Sequence, residues 1–191
     1  MPKARESGMP EEKYWESFFN PGCIVERLGC VDLTDDVVDF GCGYGQFTIA
    51  AASRTTGTVF ALDIEDDMIE VTQSRAEVSK VRNIVAERRD FLAEGCGRPD
   101  ASAGFAMLFN ILHVENPVKL LQEAFRILKS GGRVGIIHWK NDPATPRGPS
   151  LSIRPTPEDC RHWAEEAGLR FVSSEDLCCC SWHFGVVMKK A

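Results

Sequence analysis

The sequence lacks a Cys-x-x-Cys pair, although it contains eight cysteines. Structural zinc sites usually place two of their cysteines a few residues apart, so we expect no metal site. The N-terminal segment also lacks the apolar run of a secretory signal. We therefore expect a cytoplasmic protein in a reducing compartment, where most of the cysteines are free thiols.

The sequence also lacks a long uncharged stretch and a net positive charge, and these two absences limit the kinds of partner it can bind. No uncharged stretch is long enough to cross a bilayer, and the net charge of -6 has the wrong sign for nonspecific binding to nucleic acid. We expect neither a membrane nor a nucleic acid as a partner. The 191 residues, 43% of them hydrophobic and 26% charged, predict one globular domain with a substantial core, as a monomer or a homodimer.

Strand-like and helix-like patterns alternate along most of the chain. This alternation predicts an α/β fold, a Rossmann-like, doubly wound and mostly parallel seven-stranded sheet with helices on both faces. The last two strands have only a turn between them, so we expect an antiparallel C-terminal hairpin. We assign residues 1–12 to a flexible tail and 13–191 to a single domain with an N-terminal helical lid and a proline-rich loop, 140–157.

The stretch VVDFGCGYGQFTIA contains three closely spaced glycines, Gly41, Gly43 and Gly45, directly after a predicted strand. Glycines this dense allow a ligand to approach the backbone. In open parallel sheets, ligands bind beyond the carboxyl ends of the strands. Asp63 ends the next strand twenty residues after Gly43, the spacing at which an acid accepts hydrogen bonds from ribose hydroxyls.

Two nucleoside cofactors fit an acid that binds ribose. The dinucleotide fingerprint is G-x-G-x-x-G, whereas this loop reads G-C-G-Y-G and follows Asp39. A carboxylate there would repel a pyrophosphate but would attract the cationic amino-acid end of S-adenosylmethionine. The residues therefore favour S-adenosylmethionine over NAD, with an NAD-dependent oxidoreductase as the alternative.

Four segments in order resemble class I S-adenosylmethionine-dependent methyltransferases, small-molecule enzymes among them. They are VVDFGCGYGQFT, ALDIEDDMI, RRDF and MLFNILHVENPVKLLQEAFRILKSGGRVGIIHW, and the resemblance spans roughly residues 10–190. It implies S-adenosyl-L-methionine as the methyl donor and S-adenosyl-L-homocysteine as the product. Gly104 is a departure, since many relatives carry an acid near the start of the fourth strand.

The resemblance also implies where the cofactor lies. The glycine loop and Asp39 would surround the methionine part, Asp63 and Ile64 the ribose, and Asp90 the adenine, although Asp90 could instead cap a helix or loop. The cofactor-binding residues predicted in this way are Asp39, Gly41, Cys42, Gly43, Gly45, Asp63, Ile64, Met68, Asp90, Phe91 and Asn110.

Methyl transfer is an in-line displacement, so positioning supplies much of the rate. A base matters only where the acceptor must lose a proton. His113 follows the predicted fourth strand and His138 ends the fifth, so both are candidate catalytic residues, with simple packing beside the cofactor as the alternative. Trp139 is a candidate substrate contact.

The loop 140–157 leaves the carboxyl end of the fifth strand, where it could cover the site. Its Arg147 and Arg154 could bind an anionic acceptor or could pair with local acids and water. They complete the predicted substrate-binding set with Trp139.

The cysteine triplet at 178–180 permits another chemistry. Arsenite methyltransferases resemble this fold and hold a metalloid with thiolates, and on a strand Cys178 and Cys180 would share a face. Buried, unreactive thiols are the simpler interpretation. The sequence thus predicts methyl transfer to a small-molecule acceptor, with a metalloid methyltransferase and a non-catalytic S-adenosylmethionine-binding sensor as further alternatives.

Overall fold

The computed structural model describes residues 8–191, and it contains one seven-stranded sheet. The strands are β1 (Asp36–Phe40), β2 (Val59–Asp63), β3 (Ile84–Arg88), β4 (Ala103–Phe109), β5 (Leu128–Trp139), β6 (Arg170–Glu175) and β7 (His183–Lys189). The helices are α1 (Glu12–Glu16), α2 (Pro21–Arg27), α3 (Gln46–Ala52), α4 (Asp66–Val78), α5 (Phe91–Glu94), α6 (Pro117–Ile127) and α7 (Pro157–Glu166), with a 3₁₀ turn at Leu151–Ile153.

The strand order is β3-β2-β1-β4-β5-β7-β6. Neighbouring strands are parallel from β3 to β5, while β7 runs antiparallel to both β5 and β6. The predicted fold is confirmed, and the last strand of the hairpin lies between β5 and β6. The order reverses between β1 and β4, which makes the carboxyl ends of these strands the expected ligand site.

The central strands are buried on both faces, which is why they read as continuous apolar runs. On one face, α6 and α7 pack residues such as Leu121 and Ala164 against the sheet. On the other face, α2 and α3 pack Ile24 and Ala51. The sheet is therefore covered on both sides, and the ends of its strands are left to build a site. A helix able to cross a bilayer is absent from residues 8–191.

The boundary between α6 and β5 differs from the sequence expectation. In the sequence, the adjacent glycines Gly131 and Gly132 are typical of a helix end and predict that the strand begins at residue 133. Instead, α6 ends at Ile127, and Leu128 already has extended backbone angles and pairs with Ala103. Both glycines lie inside the strand, where the Gly131 N–H donates to the Lys190 carbonyl at 2.9 Å.

The N-terminal segment contacts the body of the domain wherever it is described. Residues 1–7 of the predicted tail lie outside the described residues. The Tyr44 hydroxyl donates to the Pro10 carbonyl and the Arg147 guanidinium donates to the Gly8 carbonyl, each at 2.7 Å. Residues 8–12 therefore pack against the domain, and α1 already begins at Glu12.

The cysteines include one disulfide that the sequence did not predict. Six of them are free thiols, as expected for most, but Cys23 and Cys179 form a disulfide. Residues 176–182 form turns between β6 and β7, so Cys178 and Cys180 do not share the face of a strand. Cys178 is exposed and Cys180 is buried, and residues 8–191 contain no cluster of three His, Cys, Asp or Glu side chains suited to a metal ion.

We predict that reduction of the Cys23–Cys179 disulfide, or Cys23→Ser, lowers the free energy of unfolding by about 2–5 kcal/mol. The reason is that the bond joins residues 156 positions apart and restricts the unfolded chain. Urea denaturation with and without dithiothreitol measures the change. The matched control is Cys178→Ser, an exposed free thiol in the same turn, and equal midpoints for Cys23→Ser and the control would contradict the prediction.

Candidate active site

A cavity of about 150 Å³ lies at the carboxyl ends of β1, β2, β4 and β5. Most of the residues predicted from the sequence line it. They are Asp39, Gly41, Cys42, Gly43, Asp63, Ile64, Asp90, Phe91, Asn110, His113, Trp139 and Arg147. Because these residues come from separate segments of the chain, the fold itself brings the predicted motifs to one place.

The glycine loop owes its shape to left-handed backbone angles. Gly41, Gly43 and Gly45 have φ values of 81°, 52° and 74°, a region that favours glycine over other residues. Gly41 and Gly43 line the cavity. A Cβ at Gly45 would lie 2.5 Å from the Thr72 hydroxyl oxygen, so Gly45 serves the packing of α3 against α4 and lies behind the cavity wall.

Asp39 is a buried acid at the base of the cavity. Its side chain is 2% exposed, and the Thr48 hydroxyl donates to one carboxylate oxygen at 2.6 Å. Burial raises the pKa of Asp39 to about 7, while the Thr48 hydrogen bond opposes that change and nearby Asp63 adds to it. Asp39 forms no ion pair within residues 8–191, so a cationic ligand group would supply the positive counter-charge for the buried carboxylate.

Asp63 joins the end of β2 to the glycine loop. One carboxylate oxygen accepts the Gly43 N–H at 2.9 Å, and the other accepts the Glu65 N–H at 3.1 Å. Burial raises the pKa of Asp63, and these backbone donors oppose the increase. Each carboxylate oxygen has a second lone pair, so Asp63 can order the loop and still accept hydrogen bonds from ribose hydroxyls.

Asn110 follows β4 directly and carries an unusual backbone. Its φ is 56°, although it is not a glycine, and both polar atoms of its side-chain amide are buried without a hydrogen-bond partner among the described residues. Buried amides are nearly always satisfied. An unsatisfied amide on the wall of a cavity therefore indicates a ligand group that hydrogen-bonds there.

Asp90 both caps a helix and lines the cavity, whereas the sequence left helix capping and cofactor binding as alternatives. Its carboxylate accepts the Ala93 N–H at 3.1 Å as the N-cap of α5, and it also lines the cavity. The neighbouring Phe91 packs edge-on against Phe40 with ring centroids 5.4 Å apart. The cap fixes the start of α5 and so holds Phe91 at the cavity wall.

Several predicted site residues are not part of the lining. Met68 lies in α4 and His138 is fully buried behind His113. The guanidinium of Arg154 is also directed elsewhere, since it donates to the carbonyls of Pro149 and Lys140. Arg154 therefore holds the loop 140–157 together, which corrects its predicted role in binding substrate.

Three aromatic residues that were not predicted from the sequence line the cavity together with Trp139. We call Trp15, Phe47, Phe109 and Trp139 the aromatic wall, and all four line the cavity. Phe47 and Phe109 meet edge-on at 5.0 Å, and Trp15 lies 6.2 Å from Trp139. Their positions in α1, α3, β4 and β5 share no local pattern, so only Trp139 was found from the sequence.

Comparison with known proteins shows which family has these features. Residues 37–132 match the family model of the methyltransferase domain. The chain belongs to the methyltransferase domain family. It is a class I S-adenosylmethionine-dependent methyltransferase domain, and this decides between the two nucleoside cofactors in favour of S-adenosylmethionine.

The likeness to solved structures concerns the fold. A SAM-dependent methyltransferase from Aquifex aeolicus superposes with a TM-score of 0.81 over 95% of each chain at 20% identity. The methyltransferase domain thus has the architecture of its structural neighbours along almost its whole length.

Two curated relatives are named for methyl transfer to different kinds of acceptor. The mitochondrial 2-methoxy-6-polyprenyl-1,4-benzoquinol methylase of Caenorhabditis elegans is 29% identical over 69% of this chain and 45% of its own length. The ribosomal protein L11 methyltransferase of Thermoanaerobacter sp. is 27% identical over 60% of this chain and 37% of its own length. The chain therefore spans less than half the length of these relatives.

The residues present fit S-adenosylmethionine. Asp39 offers a buried carboxylate for the ammonium, the glycine loop offers bare backbone, and Asn110 offers an unsatisfied amide. Asp63 retains acceptor capacity for ribose hydroxyls. Each feature is a property of this chain, and together they match the two ends of the cofactor.

We predict that binding of S-adenosylhomocysteine releases a proton from Asp39 below neutral pH. With its pKa raised to about 7, Asp39 is protonated in the ligand-free domain below that pH, and a cationic ammonium favours its ionised form. The affinity should therefore rise by up to about tenfold per pH unit towards pH 7 and level off above it. Calorimetry in buffers of different ionisation enthalpy measures the released proton, and Asp39→Asn should remove both the proton release and this pH dependence. Proton release when S-adenosylhomocysteine binds to the Asp39→Asn variant would contradict the assignment of this proton to Asp39.

We predict that Asp63→Ala weakens S-adenosylhomocysteine binding by about 1–3 kcal/mol, because ribose hydroxyls and the Gly43 N–H both lose their acceptor. Asp63→Asn keeps one acceptor oxygen for the Gly43 N–H and should lose less affinity. Titration calorimetry compares the variants, and an unchanged dissociation constant for Asp63→Ala would mean that the ribose is held elsewhere.

Proposed function

We propose that this methyltransferase domain transfers a methyl group to a small apolar or aromatic acceptor. The observation that carries this proposal is the aromatic wall, which faces the same cavity as Asp39 and Asn110. When bound, S-adenosylmethionine supplies an electrophilic methyl carbon on a sulfonium. The remaining task of the chain is to hold the acceptor in line with that carbon.

The residues that line the cavity support two different ligand chemistries. Asp39, Asp63 and Asp90 contribute carboxylates, while the aromatic wall contributes uncharged rings. Aromatic side chains bind flat, apolar groups over a large contact area. The carboxylates thus suit the cofactor, and the aromatic rings suit an apolar acceptor.

Arg147 adds one positive charge at the mouth of the cavity. Its guanidinium donates to the Gly8 carbonyl at 2.7 Å, so it also connects the proline-rich loop to the N-terminal segment. An acceptor with an anionic substituent would meet Arg147 on entering. Its place in the cavity lining supports the predicted substrate-binding role of Arg147. Its hydrogen bond to Gly8 also holds together the cover of the site, by which we mean Gly8, Met9 and the loop at Pro149.

The segments that cover the cavity favour a small acceptor molecule, because a folded protein substrate would keep them from closing. Met9 lies against the glycine loop, since a Cβ at Gly43 would lie 3.0 Å from its terminal methyl carbon. The cavity of about 150 Å³ is smaller than common small-molecule sites, so Gly8, Met9 and the loop at Pro149 must move when ligands enter. A closed cover excludes water from the reacting groups, which a large protein substrate would prevent.

The cysteine-based alternative has no support in the cavity. Neither Cys178 nor Cys180 is among the described residues that line it. Cys180 instead has its sulfur 3.0 Å from the Phe18 carbonyl and the same distance from the Nδ1 atom of His183. A metalloid held at these thiols would lie outside the cavity that contains the glycine loop.

The test begins with ligand binding. Saturating S-adenosylhomocysteine should raise the melting temperature, with a stabilisation of about 2.7 kcal/mol at a hundred times its dissociation constant, and NADH should leave it unchanged. Stabilisation by NADH alone would contradict the assignment. The domain is then incubated with methyl-labelled S-adenosylmethionine and three acceptor groups, namely phenols and quinols, aliphatic amines, and ribosomal protein.

The expected result is labelled product from the aromatic group. Trp15→Ala should raise the acceptor KM about 5–30-fold, in keeping with about 1–2 kcal/mol of lost aromatic contact, and leave S-adenosylhomocysteine affinity within threefold. Trp182→Ala, which removes an exposed tryptophan outside the cavity, is the matched control. Labelling of the ribosomal protein alone would overturn the small-molecule proposal, and binding without any labelled product would favour a sensor.

A further inference from the structure

Two histidines from different elements form a buried pair beside the cavity. His113 lies in the turn between β4 and α6, and His138 is the penultimate residue of β5. The Nδ1 atom of His113 lies 3.2 Å from the Nε2 atom of His138, within hydrogen-bond distance. The two side chains are 4% and 0% exposed, so the pair is held within the protein.

His138 does not line the cavity, so any effect that it has on a ligand there passes through the ring of His113. It is not among the described lining residues, and its ring stacks against Phe184 with an interplanar angle of 29°. Burial lowers the pKa of His138 well below its ordinary value, and the neighbouring His113 lowers it further. A neutral imidazole in a fixed orientation can accept a hydrogen bond at Nε2.

His113 lies between the reaction cavity and a second, open groove. It lines the cavity together with Asn110, and it also lines a groove of about 460 Å³ between the β4–α6 turn and α7. Charged and titratable side chains on both sides of that groove are Glu115, Arg154, Asp159, His162 and Glu166. His113 is therefore the residue at which the cavity and the groove meet.

We propose that His113 is the proton acceptor for an acceptor molecule with an acidic O–H group, and that His138 is the positioning residue for its ring. This inference rests on the proposed function and adds to it the substrate class, an aromatic alcohol. His138 accepts the His113 Nδ1–H, which makes Nε2 the basic nitrogen of His113.

In this step the O–H bond of the acceptor breaks, its proton goes to Nε2 of His113, and its electron pair stays on oxygen. That oxygen forms the new bond to the methyl carbon, while the pair of the broken carbon–sulfur bond goes to sulfur. The His113 imidazolium loses its charge when Nε2 gives the proton to solvent after the product leaves the cavity.

The first experiment observes the ring without turnover. Spectra of the protein labelled with ¹⁵N-histidine, recorded with and without S-adenosylhomocysteine at neutral pH, report which nitrogen of each ring carries the proton. We expect His113 to be protonated at Nδ1 and bare at Nε2, and His138→Phe to shift part of the population to the other tautomer. His162→Phe, at the groove, is the control and should change nothing. A bare Nδ1 on His113 in the unmodified protein would overturn the proposal.

The second experiment uses 4-methylphenol and 4-nitrophenol as probe acceptors. Loss of a general base costs about 100-fold or more, so His113→Ala should lower kcat by about 100-fold with 4-methylphenol and far less with 4-nitrophenol, whose much more acidic O–H loses its proton with little help. Added imidazole should restore part of the lost rate, and His138→Phe should lower kcat about tenfold with little change in KM.

Each unfavourable outcome has a separate meaning. Equal losses with both phenols and no rescue by imidazole would overturn the role of His113. A KM effect alone in His138→Phe would overturn the positioning role. Binding of S-adenosylhomocysteine with turnover of amines but of neither phenol would overturn the O–H substrate class while leaving the proposed methyl transfer intact, whereas failure to bind S-adenosylhomocysteine would count against the proposed function itself.

Discussion

The hydrogen bond from the Gly43 N–H to the Asp63 carboxylate joins the loop after β1 to the end of β2, and the site depends on it. These segments are neighbours because β1 and β2 pair in parallel, with Asp39 opposite Ala61. A loop of glycines has many accessible conformations, so a fixed acceptor is needed to select one. The same carboxylate that orders the loop also faces the cavity, and structure and ligand recognition are therefore coupled in one side chain.

The second organising feature is the presence of carboxylates and aromatic side chains in the lining of one cavity. The carboxylates of Asp39 and Asp63 come from β1 and β2 and that of Asp90 from the turn after β3, while side chains from α1, α3, β4 and β5 form the aromatic wall. No cation among the described residues offsets the desolvation of Asp39, and such perturbed groups are common at functional sites.

Local sequence patterns predicted the elements that carry the cofactor residues. The strand before Gly41 and the acid that ends β2 each have a short-range physical cause, and the structure places both as expected. The start of β5 was missed because Gly131 and Gly132 resemble a helix end, whereas pairing of Leu128 with Ala103 on the neighbouring strand extends the sheet. The disulfide was missed because Cys23 and Cys179 become neighbours only after α2 packs near the turn between β6 and β7.

The sequence by itself determined the fold class, the family and the glycine loop with its two acids, because each depends on residue types at short spacing. Only the tertiary structure decided which residues line the cavity: Trp15 and Phe47 line it with Trp139, His138 is buried behind His113, and the Arg154 guanidinium points into the loop 140–157. The physical reason is that side-chain direction and burial depend on contacts between distant segments. The motifs predict the cofactor residues, whereas the proposed acceptor site consists of residues whose spacing carries no common period.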